Sequence, residues 1–183
     1  MDVFGELEKD RFVVRDIAYH LLRVVRRAYV HCQYWNRIEK KLRNEKNISG
    51  LDYEHILGRG MHEKETEVLM KRRQDMVVQD FMENMISPIV PQEIRKTAEV
   101  KFLHFAEQCA EIIWWMCVQN PAMHLEYLHD RISGQSKVHI FNSDHYRPYL
   151  KSGEFVDFCV WPLIRLHQDG PILSKGVAQG MNK

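Results

Sequence analysis

The amino-acid sequence predicts an all-α fold, a compact helical bundle with three long helices, shorter ones and at most a trace of strand. Apolar residues recur at helical spacing over three long segments, and Gly and Pro punctuate the stretches between them. The composition, 45% hydrophobic and 28% charged, is typical of a folded domain. We therefore expect one helical domain over residues 1–183.

The first predicted helix runs from Asp10 to Arg43. Its apolar stripe is Val14, Leu21, Ala28, Trp35 and Leu42, joined by Ala18, Val25 and Cys32. At about 100° per residue, the opposite face carries Arg23, Arg26, Arg27, Arg37 and Lys41. Residues 11–46 hold ten Lys and Arg against three Asp and Glu, although the whole chain has a net charge of only +1. A near-neutral protein thus has one strongly basic helix.

Two further long helices follow a predicted loop over residues 44–60. One spans His62 to Ile86 and includes the basic cluster Lys71, Arg72 and Arg73. Pro88 and Pro91 end it, because proline lacks the N–H donor that a helix interior needs. The last long helix continues from Pro91 through Met116, with its apolar residues three or four apart.

Shorter elements complete the predicted bundle. Residues Met123–His129 fit a short helix, and Lys137–Phe141 fit a short strand or an ordered loop. Residues Ser152–His167 fit a helix bent at Pro162, because Phe155, Phe158, Cys159, Leu163 and Leu166 fall roughly on one side. Gly170 and Pro171 then predict a turn that returns Ile172 and Leu173 to the bundle.

Several classes of function lack their usual signals. The N-terminus resembles no secretory signal, which favours an intracellular protein, and the longest apolar run, Ile112–Val118, is too short to span a membrane. Any membrane contact should be peripheral. Four cysteines without CxxC spacing and ten histidines without a ligand motif predict no metal and no cofactor.

Catalysis has one candidate constellation. Cys159 lies near Asp157, with His145 or His167 as a conceivable base for a thiol nucleophile. Its apolar neighbours Phe158, Val160 and Trp161 should raise the pKa of the thiol and suppress its reactivity. We predict no catalytic residue, and an enzyme acting on a phospholipid stays a third hypothesis.

The basic stripe is the main functional lead. Its cations suit an anionic membrane surface, where each contributes about 1 kcal/mol. A solvated face is the alternative, and nucleic acid is not expected because the aromatic residues fall mostly on the apolar stripes. The candidate lipid-binding residues are Arg23, Arg26, Arg27, Arg37, Lys41, Lys71, Arg72, Arg73 and Lys175. A second hypothesis is a protein-binding module that docks a partner helix, either on the methionine-rich helix of Met76, Met82 and Met85 or on an exposed part of the C-terminal segment over residues 155–180.

The C-terminal two thirds carry a recognisable pattern. Trp114, Gln119 and Pro121 are followed by Tyr149 and Gly153, and then by "VWP" at 160–162 and "GPILSKGVAQ" at 170–179. This pattern resembles the C-terminal domain of the mitochondria-eating protein family. Founding members of that family carry coiled-coil segments before this domain, a pattern that this sequence does not show.

The resemblance implies a role in mitochondrial quality control and mitophagy. It further implies binding of cardiolipin, self-assembly into homo-oligomers and protein partners on mitochondria, with a cytoplasmic protein that associates with the organelle. The family supplies no catalytic motif. Cardiolipin is anionic, so the implied ligand and the basic stripe agree in the sign of their charge.

Overall fold

The computed structural model describes residues 3–45, 63–86, 90, 92, 94, 98–128 and 139–182. The chain forms two compact units. We call Met1–Val24 with Gln119–Lys183 the sheet unit and Val25–Val118 the helical unit. The predicted loop after Asn44 and the predicted stop at Pro88 and Pro91 lie largely outside the described residues. Of the predicted strand or ordered loop Lys137–Phe141, the structure describes residues 139–141, where Ile140 forms an isolated β-bridge with Phe155. The expectation of one domain over 1–183 stays a prediction.

Three long helices are present where periodicity places them. They are α1 (Val3–Glu45), α2 (Glu63–Asp80) and α3 (Glu99–Val118). A six-residue π-helix, Phe81–Ile86, continues α2. Alpha1 supplies residues to both units.

The all-α prediction is wrong, because the sheet unit contains two three-stranded sheets. The strands are β1 (His124–Glu126), β2 (Tyr146–Pro148), β3 (Phe155–Trp161), β4 (Leu163–Arg165), β5 (Ile172–Ser174) and β6 (Gly176–Met181). One sheet has the order β1-β4-β5 and is antiparallel. The other has the order β2-β6-β3, in which β6 pairs parallel to β2 and antiparallel to β3.

The helical unit buries part of the stripe that the spacing predicts, although Trp35 is only partly buried. Val25, Ala28 and Cys32 of α1 are almost fully buried. From the other helices the core receives Val77, Phe81, Ile86, Phe102, Ala106, Cys109, Ala110, Ile113, Trp114 and Cys117. Burial of these apolar side chains supplies the main stabilisation of the unit.

The sheet unit has its own core. Leu22 of α1 packs with Tyr146, Cys159, Leu163 and Ala178 from the strands. Burial raises the pKa of the Tyr146 phenol above its ordinary value, and the neighbouring Cys159 adds to this shift. The chain leaves β3 of one sheet and enters β4 of the other at Pro162, which is fully buried.

The predicted helix over Ser152–His167 is two strands, and irregular pairing explains the misleading pattern. Beta3 pairs with β6 through register shifts between Val156 and Phe158 and again between Cys159 and Trp161. Each shift interrupts the two-residue alternation of a regular strand. The apolar residues therefore fall three and four apart, as in a helix. Aromatic and β-branched residues, which favour strands, were the better signal.

Two smaller expectations also fail. The predicted helix at Met123–His129 contains strand β1. Leu173 does not return to a bundle, since β5 leaves its side chain 51% exposed. The turn itself forms where Gly170 was expected to place it, with the Gly170 N–H donating to the His167 carbonyl and Asp169 at a φ of 61°.

Candidate functional site

The exposed side of α1 in the helical unit combines cations with apolar side chains. Arg26, Val30, Tyr34, Arg37 and Lys41 are three or four residues apart and therefore share one side of the helix. All five are exposed, with Val30 at 59% and Tyr34 at 58%. We call these five residues the basic face. The aromatic Tyr34 lies between cations, contrary to the expectation that aromatic residues keep to the apolar stripes.

The five positions of the basic face carry three cations. None of its five positions is acidic, and Arg26 and Arg37 have no ion-pair partner among the described residues. Arg23, which is also exposed, precedes Arg26 by three residues on α1.

Other predicted lipid-binding residues contact groups of the protein itself. The Arg27 guanidinium donates to the Met85 carbonyl at 3.2 Å, at the end of the π-helix. Lys71 lies 3.1 Å from Asp75 and 3.7 Å from Glu111, and Arg73 lies 3.6 Å from Glu39. Lys175 donates to the Ser143 carbonyl at 2.8 Å in the sheet unit. Arg72 is exposed on α2.

A partly buried polar cluster joins α1 to the end of α2 and to the π-helix. Asp80 accepts hydrogen bonds from Trp35 Nε1 at 3.0 Å and from Asn84 Nδ2 at 2.7 Å. His31 Nε2 lies 3.3 Å from the same carboxylate and 3.2 Å from the Val77 carbonyl. Burial lowers the pKa of His31 below its ordinary value, although Val77 and Asp80 oppose that shift. Sequence reasoning missed this cluster, because only contact between helices brings His31 to Asp80.

The thiols are not arranged for nucleophilic chemistry. All four cysteines are buried and free. Burial raises the pKa of Cys109 and of Cys117 to about 12, and raises that of Cys32 further still. The Cys159 Sγ lies within hydrogen-bond distance of the backbone carbonyls of Trp161, at 3.3 Å, and Val177, at 3.7 Å.

The remaining members of the imagined catalytic group have other contacts. The Asp157 carboxylate lies 3.8 Å from Arg15, and the His167 ring contacts the Gln168 carbonyl. Within the described part of the chain, no group of three or more His, Cys, Asp or Glu could hold a metal ion.

The family of the chain follows from a match to a protein-family model. A family model described as mitochondria-eating protein matches residues 20–180. The chain belongs to the mitochondria-eating protein family. No curated protein and no solved structure gave a significant match.

Membership of the mitochondria-eating protein family gives the chain a role in mitochondrial quality control. Among the described residues, no helix is both long and apolar enough to cross a membrane. Residues of the family pattern lie in both units. Trp114 is fully buried in the helical unit, whereas Tyr149, Gly153 and Gln179 lie close together in the sheet unit.

Proposed function

We propose that the chain is a peripheral membrane module of mitochondrial quality control that binds anionic phospholipid of the cardiolipin type through the basic face. The observation that carries the proposal is the exposure of Val30 and Tyr34 between Arg26, Arg37 and Lys41. A surface helix that contacts a bilayer needs both charge and apolar area on one side. The basic face has both.

The chemistry of each group fits a phospholipid surface. Guanidinium groups donate paired hydrogen bonds to phosphate oxygens. Tyrosine suits the boundary between headgroups and acyl chains, since its ring is apolar and its hydroxyl is polar. At about 1 kcal/mol for each cation, a few basic residues suffice for reversible binding. Cardiolipin carries two phosphates and would engage neighbouring arginines together.

The proposed binding set is smaller than the one that charge alone predicts. It keeps Arg23, Arg26 and Arg37 of α1 and adds Arg72 of α2, all of which are exposed, while Lys41, which is also exposed, has an interaction of its own. Arg27, Lys71, Arg73 and Lys175 have protein contacts and are assigned structural roles. This division makes the proposal specific, because it assigns Arg26 to lipid binding and its neighbour in sequence, Arg27, to a structural role. The module would act at the cytoplasmic side of mitochondria.

Vesicle co-sedimentation tests the proposal. Cardiolipin in phosphatidylcholine vesicles should bind the protein, pure phosphatidylcholine should not, and added salt should weaken the binding because it screens exposed charges. The double variant Arg26→Gln/Arg37→Gln should bind about tenfold or more weakly. Lys101→Glu on the exposed side of α3 changes the net charge equally and should bind like the unmodified protein. If both variants lost vesicle affinity equally, binding would depend on net charge and not on the basic face.

A second candidate is a protein-docking surface on α2. Val68, Leu69 and Met76 are each more than 40% exposed there, and Met85 of the π-helix is 38% exposed. Methionine-rich surfaces adapt to apolar helices of different sequence. A partner helix or a second copy of the chain would bind this surface with little dependence on salt. Met76→Asp should abolish capture of such a partner from a mitochondrial extract without altering vesicle binding.

A further inference from the structure

The segment formed by the last two residues of β2 and the three residues after them displays an apolar side chain between basic ones. It comprises Arg147, Pro148, Tyr149, Leu150 and Lys151, which we call the Leu150 segment. All five residues are exposed, and Leu150 is exposed to 80% of its surface. Residues 145–153 contain no Asp or Glu. The segment thus places one large aliphatic side chain and one tyrosine between two cations.

Hydrogen bonds to β6 fix the backbone of this segment. The Tyr149 N–H donates to the Ala178 carbonyl at 2.9 Å, and the Lys151 carbonyl accepts from the Gly180 N–H at 2.9 Å. Between them, the Leu150 N–H donates to the side-chain oxygen of Gln179 at 3.1 Å. Gln179 is itself buried and donates its amide to the Gly180 carbonyl.

Two glycines permit this close approach. A Cβ atom on Gly180 would lie 2.4 Å from the backbone nitrogen of Gly153, and one on Gly153 would lie 2.5 Å from the backbone nitrogen of Met181. The two backbones therefore pack directly against each other. A single exposed leucine is ordinary on a protein surface. Here the hydrogen-bonded backbone keeps Leu150 exposed, and the packing of the segment does not depend on the Leu150 side chain.

We propose that the Leu150 segment inserts Leu150 and Tyr149 into the interfacial layer of an anionic bilayer, while Arg147 and Lys151 contact lipid phosphates. Leu150 supplies apolar area for the acyl region and Tyr149 an amphipathic ring for the headgroup boundary. The backbone is already ordered, so insertion loses little conformational entropy. The two flanking cations favour an anionic surface over a neutral apolar pocket. The inference shares its class of partner with the proposed function but uses other residues.

A fluorescent probe tests insertion directly. In Leu150→Cys the new thiol is exposed whereas the four native cysteines are buried, so an environment-sensitive NBD label should attach at position 150. Vesicles of phosphatidylglycerol and phosphatidylcholine should shift the emission to the blue and increase it, and pure phosphatidylcholine should not. The matched control is Leu173→Cys on β5, another exposed leucine of the sheet unit, which should show no shift. An unshifted spectrum at position 150 on vesicles that retain the protein would overturn the inference.

Unlabelled variants give a second measurement that does not depend on the probe. Leu150→Asp should weaken binding to the same vesicles about tenfold or more, since burial of a leucine side chain is lost, and should leave the melting temperature unchanged. Leu150→Met should retain binding. If Leu150→Asp removes capture of a mitochondrial protein but leaves vesicle binding intact, the segment is a protein-binding element and the membrane inference is wrong.

The failure of this inference can be separated from failure of the proposed function. In one outcome, Arg26→Gln/Arg37→Gln abolishes vesicle binding, while the label at position 150 shows no spectral shift in the protein that keeps both arginines. The basic face then binds lipid, and the inference about the Leu150 segment is wrong. If the double variant binds normally and the emission of the label still shifts, the Leu150 segment inserts and the proposal for the basic face is wrong. Weaker vesicle binding in both the double variant and Leu150→Asp, together with a shifted label, supports two membrane contacts.

Discussion

In the helical unit, side chains of α1 bind backbone carbonyls of the other helices, whereas in the sheet unit the backbone of the Leu150 segment binds β6 directly. The Cys32 S–H donates to the Ala110 carbonyl, and the Asn36 side-chain amide donates to the Cys117 carbonyl. The Tyr149 and Gly180 N–H groups donate to carbonyls without a side chain between. Substitution of polar side chains should therefore destabilise the first unit, and added volume at glycine should destabilise the second.

The largest expected effect is that of Gly180→Ala in the sheet unit. The added methyl group would collide with backbone atoms of Ser152 and Gly153, which cannot rotate away. We expect a loss of about 3 kcal/mol in the free energy of unfolding, at the upper end of overpacking costs. Urea denaturation followed by circular dichroism measures it.

Gly170→Ala is the matched control for that substitution. Its methyl group would meet only the ring of His167, a side chain that can move. We expect a clearly smaller loss, of about 1 kcal/mol. Equal losses at the two glycines would show that backbone contact is not what distinguishes Gly180.

The next effect concerns the polar cluster of the helical unit. Asp80→Ala would leave the Trp35 indole N–H and the Asn84 amide without their acceptor. Charged hydrogen bonds contribute about 1.5–3 kcal/mol, so we expect about 2 kcal/mol of destabilisation. Asp75→Ala, which removes an exposed pairing with Lys71, should cause no measurable change. Denaturant midpoints of both variants provide the comparison.

How far these contacts could be predicted from sequence differs between the units. The long amphipathic pattern of α1 predicts its helix and its buried stripe, because helical period is a local property. The positions of Asp80 and Gln179 relative to their partners depend on which elements pack together. The bulged pairing of β3 also imitates helical spacing. Charge likewise predicts basic residues but not which of them, such as Arg27, are already bound within the protein.

A pH dependence should follow from His31 in the helical unit. Burial lowers its pKa in the folded state below the ordinary 6.5, so the unfolded chain binds the proton more tightly. The stability contribution is therefore complete above pH 6.5 and is lost as the pH falls from 6.5 toward the folded-state pKa. His31→Gln should flatten this part of the stability profile. A profile that is identical in the variant would assign the pH dependence to other groups.

The smallest expected effect on stability separates two adjacent arginines. Arg27 donates to the last turn of the π-helix, so Arg27→Ala should cost about 0.5–1.5 kcal/mol, the contribution of one hydrogen bond. Arg26 is exposed and has no such contact among the described residues, so Arg26→Ala should leave stability unchanged. In vesicle binding the order should reverse, with Arg26→Ala the weaker binder. If the two variants lose vesicle affinity equally, binding depends on the total charge of α1, and the exposure of individual arginines does not select the ligand-binding ones.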